Sequence, residues 1–252
     1  MSRIGDVVAK RKLAVGTVVS STCSLVTEAI SRSDMDFVFI DCEHAPIGIA
    51  AALSMVQSLR GQCLSLIRIA DQSPTSVNQA LDLGCDGIIV PQVNSAEIAR
   101  TVAAAAKYPP LGQRGVGLAR AHGFGKMFAD YLRLSNEEVS VFVQIEHIEA
   151  VRDIENICRV PGVEGIFIGP YDLSASLGKP GQVTDADVQS AIAHVIEVGK
   201  RERKLLGAFS ADDAAAATFL AKGVQVLTIG TDLARLVADC DRTVAVLRGK
   251  EV

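Results

Sequence analysis

The chain is 252 residues long, carries a net charge of −4, and is 49% hydrophobic but only 4% aromatic, with no tryptophan. That balance offers no electrostatic footprint for nucleic acid, no apolar run approaches the roughly 20 residues of a membrane span, and the N-terminus MSRIGDVVAKRKLAVG lacks a secretory signal's apolar core. A soluble cytoplasmic protein is expected, a single domain over residues 1–252, with Ala, Val, Ile and Leu filling its core.

Taken in order, strand-like runs alternate with Ala-rich amphipathic stretches. The runs are VGTVV (15–19), FVFID (37–41), SLIRI (65–69), GIIVP (87–91), VFVQIE (141–146), GIFIG (165–169), LLGAF (205–209) and VLTIG (226–230). Segments such as 95–108 and 185–204 carry apolar stripes at helical period and acidic starts. Strict alternation argues a parallel sheet, and eight units in a chain near the roughly 250 residues usual for that fold argue closure into a (β/α)8 TIM barrel. An open doubly wound sheet is the alternative, but no G-x-G-x-x-G follows the first run.

One connection breaks the rhythm, about thirty residues between the fourth helix and the fifth strand, rich in glycine and with GKMFADYLRL able to form a short helix. The six cysteines show no CxxC pair and no zinc-like spacing, so reduced thiols are expected. Cys42 alone lies in a polar cluster, where a filler role is the simpler reading.

In a (β/α)8 barrel the active site forms at the carboxyl ends of the strands. There the second run ends Asp41-Cys42-Glu43-His44, the third holds Arg68, Gln92 follows the fourth, the fifth carries Gln144 and Glu146, and the sixth leads to Asp172. Gln144 and Glu146, two apart, point the same way. With strands about 4.8 Å apart, Glu146 and Asp172 can converge, and two carboxylates suit a hard divalent cation whose remaining positions go to water or substrate. Taken singly, Glu146 also reads as an exposed acid and Asp172 as a helix cap. His44 reads as structural or as an acid-base group, and Arg68 as a salt-bridge partner of Asp41 or Glu43 that can also serve a substrate.

The motifs FVFIDCEHAPIG, LDLGCDGIIVPQV, KYPPLGQRGVG, VQIEHIEAV and GIFIGPYDLSASLG, in this order, resemble the HpcH/HpaI aldolases, metal-dependent class II pyruvate aldolases that include 4-hydroxy-2-oxoheptanedioate and 2-dehydro-3-deoxyglucarate aldolases. The resemblance covers residues 15 to 235. It implies reversible cleavage of a 4-hydroxy-2-oxo acid or 2-keto-3-deoxy sugar acid to pyruvate and an aldehyde through a metal-bound pyruvate enolate. By position it implies Glu146 and Asp172 as ligands of Mg2+ or Mn2+, with Co2+ as a further option. Gln144 and the Tyr171 backbone would hold pyruvate, His44 would be the acid-base residue, and Arg68 would stabilise the enolate. It further implies that Asp82 raises the basicity of the histidine. Because Asp82 precedes the fourth strand, at the far end of its own barrel, it would come from a neighbouring subunit. An ordinary helix-to-strand turn is the other reading.

The same resemblance implies a homo-hexamer with C-terminal helices exchanged between subunits, whereas the stripe Leu233, Leu236, Val237, Cys240, Val244 and Leu247 taken alone suits a last helix packed on its own barrel. Cys42 and GAFS (207–210) depart from the family's commoner residues, which bears on the aldehyde acceptor. Arg120 and His122 are candidates to meet a distal acceptor group. Lys107, Lys126, Lys179 and Lys204 fall on helices or polar turns, poor settings for Schiff-base chemistry. The alternatives are a citramalyl-CoA or malyl-CoA lyase, disfavoured by the compact acidic chain, and a non-catalytic barrel subunit.

Overall fold

In the computed structural model, which describes residues 2–250, eight parallel strands close into one barrel in sequence order. They are β1 (Ala14–Val19), β2 (Phe37–Asp41), β3 (Leu64–Arg68), β4 (Gly87–Val90), β5 (Ser140–Ile145), β6 (Gly165–Ile168), β7 (Leu205–Ser210) and β8 (Val226–Thr231), with β8 pairing back on β1. Helices follow the strands on the outside, each apolar strand face being covered by a helix stripe as a parallel sheet requires. Among the described residues no helix is long and apolar enough to cross a membrane.

Side-chain alternation along the strands separates two cores. Val38, Ile40, Ile67, Ile88 and Val143 point outward into an aliphatic layer under the helices. Phe37, Phe39, Leu66, Ile89, Phe142 and Phe167 point inward and fill the barrel. The expected aliphatic filling therefore holds for the outer layer only, since four of the chain's eight phenylalanines occupy the interior. They fit because neighbouring strands carry glycine opposite them: a Cβ on Gly16 would sit 2.6 Å from the Phe37 ring and one on Gly207 2.5 Å from that of Phe167. The N-terminal helix Arg3–Arg11 closes the barrel's amino end, with Ile4 and Val8 joining the interior cluster.

Above the phenylalanine layer the inward positions turn polar: Asp41 after Phe39, Arg68 after Leu66, Gln144 after Phe142. This parity places polar side chains at the carboxyl end of the barrel interior.

The long connection carries a short 3-10 turn, Arg120–His122, and the helix Phe128–Glu138 that its sequence suggested. His122 is fully buried beside the Tyr108 hydroxyl at 3.2 Å, and Arg120 donates to the Leu83 carbonyl. Neither lines the mouth cavity described below, so within one chain they do not meet a distal acceptor group there. The helix Asp232–Leu247 leaves its apolar stripe open, with Leu236 61% and Leu247 82% exposed, so it does not pack on its own barrel.

Candidate active site at the barrel mouth

A cavity of about 320 Å3 opens at the carboxyl ends of the strands, bordered by Asp41, His44, Arg68, Gln144, Tyr171 and Asp172 on one part and by Val18, Phe39, Phe167 and Phe209 on another. Asp41 and Arg68 are register partners on β2 and β3. The guanidinium donates from Nε and Nη2 to the two Asp41 oxygens at 2.8 and 2.7 Å, reaches Glu43 at 3.2 Å through Nη1, and lies 5.4 Å over the Phe39 ring. Burial works to raise the Asp41 pKa, but Arg68 and the N–H groups of Glu43 and His44 outweigh it and hold the carboxyl below its ordinary range. The ion pair expected from sequence is thus present, and it aims a fixed positive charge at the cavity.

Glu146, 1% exposed, stands behind the cavity wall. Its Oε1 accepts from the Gln92 backbone N–H at 2.7 Å and its Oε2 from Gln144 Nε2. Burial, with the charges of Glu43 and Asp172 adding, pushes its carboxyl up to about 7 against the pull of the Gln92 N–H and Arg68. Glu43 is also raised, by burial first, with Asp41 and Asp172 adding and Arg68 and His44 opposing. Buried Gln144 Oε1 has no hydrogen-bond partner. The site therefore combines oxygen donors, surplus negative charge and an unpaired acceptor, and those features fit a hard divalent cation. Among the described residues no group of three His, Cys, Asp or Glu is arranged to hold an ion. A cation here would take two carboxylates and complete its shell from solvent or substrate, as the spacing of Glu146 and Asp172 suggested.

Asp172 lies in the first turn of the short helix Pro170–Ser176 that follows β6. Gly169 before it is required by space, since a Cβ there would stand 2.9 Å from Glu146 Oε2 and 3.0 Å from Gln144 Nε2. The Tyr171 ring meets Phe209 edge-on at 6.0 Å. His44, with a side chain 61% exposed, sits at the rim 3.7 Å from Glu43. Burial pushes the Cys42 thiol up to about 11, with Asp41 adding, so it fills space rather than attacks.

Asp82 is apart from this cluster. At the end of the helix Pro74–Asp82 it accepts from Arg114 Nη2 at 2.8 Å, and Arg114 is buried between the rings of Tyr108 and Tyr131. Lys107, at the end of the helix Ala96–Ala106, is buried, its Nζ donating to the carbonyls of Asn136 and Val139 at 2.8 Å, and it does not border the cavity. Sequence reading singled out Gln92 as a polar residue after β4, but the side chain is exposed and only the backbone N–H engages the site. The space requirement at Gly169 had no signal along the chain, whereas Glu43 was legible as a partner of Arg68.

The model of the HpcH/HpaI aldolase/citrate lyase family matches residues 16–238. The chain belongs to that family. Among relatives, the 2-keto-3-deoxy-L-rhamnonate aldolase of Salmonella typhi is 37% identical over 226 residues, 88% of this chain and 84% of that one. An HpcH/HpaI aldolase/citrate lyase family protein of Burkholderia cenocepacia J2315 superposes with a TM-score of 0.90 at 30% identity, covering 94% of this chain and 95% of that one. Citrate synthase SbnG superposes at 0.87 and 28% identity over 98% of both chains. As an HpcH/HpaI family member the chain is a carbon–carbon lyase of the aldolase class, and class II enzymes of this family generally depend on a divalent metal ion.

Proposed function

We propose that the chain cleaves a 2-keto-3-deoxy sugar acid, or a related 4-hydroxy-2-oxo acid, reversibly to pyruvate and an aldehyde. The observation that carries this reading is the meeting of Asp172 and an inward arginine, Arg68, on one cavity at the strand ends, with the buried carboxylate Glu146 directly behind its wall on the cavity-lining Gln144. Glu146 and Asp172 would hold Mg2+ or Mn2+. When bound, the ion supplies Lewis acidity toward the oxygens of a 2-oxo acid.

Arg68, locked by Asp41, offers positive charge where negative charge develops on the pyruvate fragment, and needs no reorganisation to do so. Gln144 and the backbone at Tyr171 would orient that fragment. As the C3–C4 bond breaks, its electron pair passes to C3, the 4-hydroxyl proton goes to His44, and C4 leaves as an aldehyde. The other cavity wall is apolar, and Arg68, the one permanent cation lining the cavity among the described residues, is already paired to two acids. A neutral acceptor aldehyde suits that wall better than one bearing a carboxylate or a CoA arm.

Asp82 would serve His44 of a neighbouring copy within a homo-oligomer, a hexamer by resemblance. The open stripe of the helix Asp232–Leu247 supports association, as do Leu118 and Phe124, 74% and 79% exposed in the long connection. The test is pyruvate release from 2-keto-3-deoxy sugar acids and 4-hydroxy-2-oxo acids, with EDTA and after Mg2+ or Mn2+ is restored. Equal release with and without EDTA would remove the metal from the reading.

A further inference from the structure

Gln92 is one of the few non-glycine residues in the left-handed region, at φ +54, and it stands two residues past the end of β4. Its exposed side chain makes no contact that explains the conformation, but its backbone does two things at once. Its N–H donates to Glu146 Oε1 at 2.7 Å, while its carbonyl and that of Pro91 both accept from Gln72 Nε2, at 2.8 and 3.1 Å. The Pro91 carbonyl and the Gln92 N–H belong to the same trans peptide plane, so they point in opposite directions. Holding the carbonyl from one side therefore aims the N–H at Glu146 on the other. Fixing the Gln92 carbonyl as well pins the plane on the far side of the same Cα, and two pinned planes leave φ and ψ little freedom.

We infer that Gln72 is a positioning residue for the metal centre: it clamps the Pro91–Gln92 backbone in a left-handed turn whose N–H fixes the Glu146 carboxylate for cation binding. The inference rests on the reading of Glu146 as a ligand. Groups that orient a ligand from behind contribute about 10–100-fold to metal affinity, and a left-handed turn held at a non-glycine residue relaxes once its restraint is removed.

The experiment is direct Mn2+ titration, by electron paramagnetic resonance of the free ion, on the purified oligomer and its Gln72→Ala, Gln92→Gly and Gln72→Ala/Gln92→Gly variants, with Glu146→Ala as control and thermal unfolding in parallel. Gln72→Ala is expected to weaken Mn2+ binding about tenfold with an unchanged midpoint of unfolding. Gln92→Gly alone, which keeps the N–H, is expected to bind as wild type. In the double variant glycine adopts the left-handed turn unaided, so affinity returns to within about threefold of wild type. Wild-type affinity in Gln72→Ala, or no rescue in the double variant, would overturn the clamp. A wild-type protein that binds no Mn2+, or a Glu146→Ala variant that binds it fully, would instead remove the ligand reading beneath it.

Discussion

Arg68 and Asp41 stand side by side on β3 and β2 and share two parallel N–H···O bonds of 2.8 and 2.7 Å, with Glu43 on the remaining guanidinium nitrogen at 3.2 Å. The fork needs two nitrogens in one plane, which lysine lacks. Arg68→Lys is expected to retain the fold while lowering kcat/KM by about 10²-fold, the usual loss when one preorganised donor is removed from a developing charge. Arg68→Met would leave Asp41 and Glu43 without their counter-charge and cost about 3–5 kcal/mol of stability. Steady-state kinetics and urea unfolding of the two variants separate these effects, and equal stability losses would contradict the assignment.

For Glu146 the raised carboxyl makes pH the informative variable. Its folded pKa, about 7, lies above the ordinary carboxylate value, so its contribution to stability is complete below about 4.5 and is lost as pH rises through 7. Metal-free protein should lose up to about 3 kcal/mol between pH 5 and pH 8 from this group. In Glu146→Gln that loss should vanish, as read by urea unfolding in EDTA. Mn2+ binding needs the ionised form, so affinity should climb with pH toward 7 and then level off. Glu146→Ala and Asp172→Ala should both abolish metal binding and turnover without unfolding the barrel.

His44 occupies the rim and makes no contact with Glu146. His44→Ala is therefore expected to slow aldol cleavage by roughly 10²–10⁴-fold, the contribution of a positioned acid-base group, with Mn2+ affinity unchanged. A variant that cleaves well but has lost its metal would make His44 a ligand.

Assembly should be visible in the active site. Leu236→Asp on the open helix stripe is expected to shift the protein to smaller species in sedimentation and to lower turnover with it. Asp82→Asn keeps an oxygen for buried Arg114, so its effect on turnover should exceed its effect on unfolding. A fully active monomer at micromolar concentration would end the role given to Asp82.

The order of amino acids by itself determined the eight strands, their alternation with helices and the polar residues at one end of the second to sixth. Period and strand-end position are local properties, written within a few residues of each other, and Asp41, His44, Arg68, Gln144, Glu146 and Asp172 were all legible on that ground. Closure decided the rest. Only the barrel places phenylalanines inside against glycines from the next strand, because that pairing depends on register between segments far apart in the chain. Only the tertiary structure buries Glu146 deeply enough to raise its carboxyl, turns Gln92 into a backbone donor, and withdraws His122 and Lys107 from the surface. Desolvation and the direction of an N–H depend on what surrounds a residue in space, and no spacing along the chain encodes either.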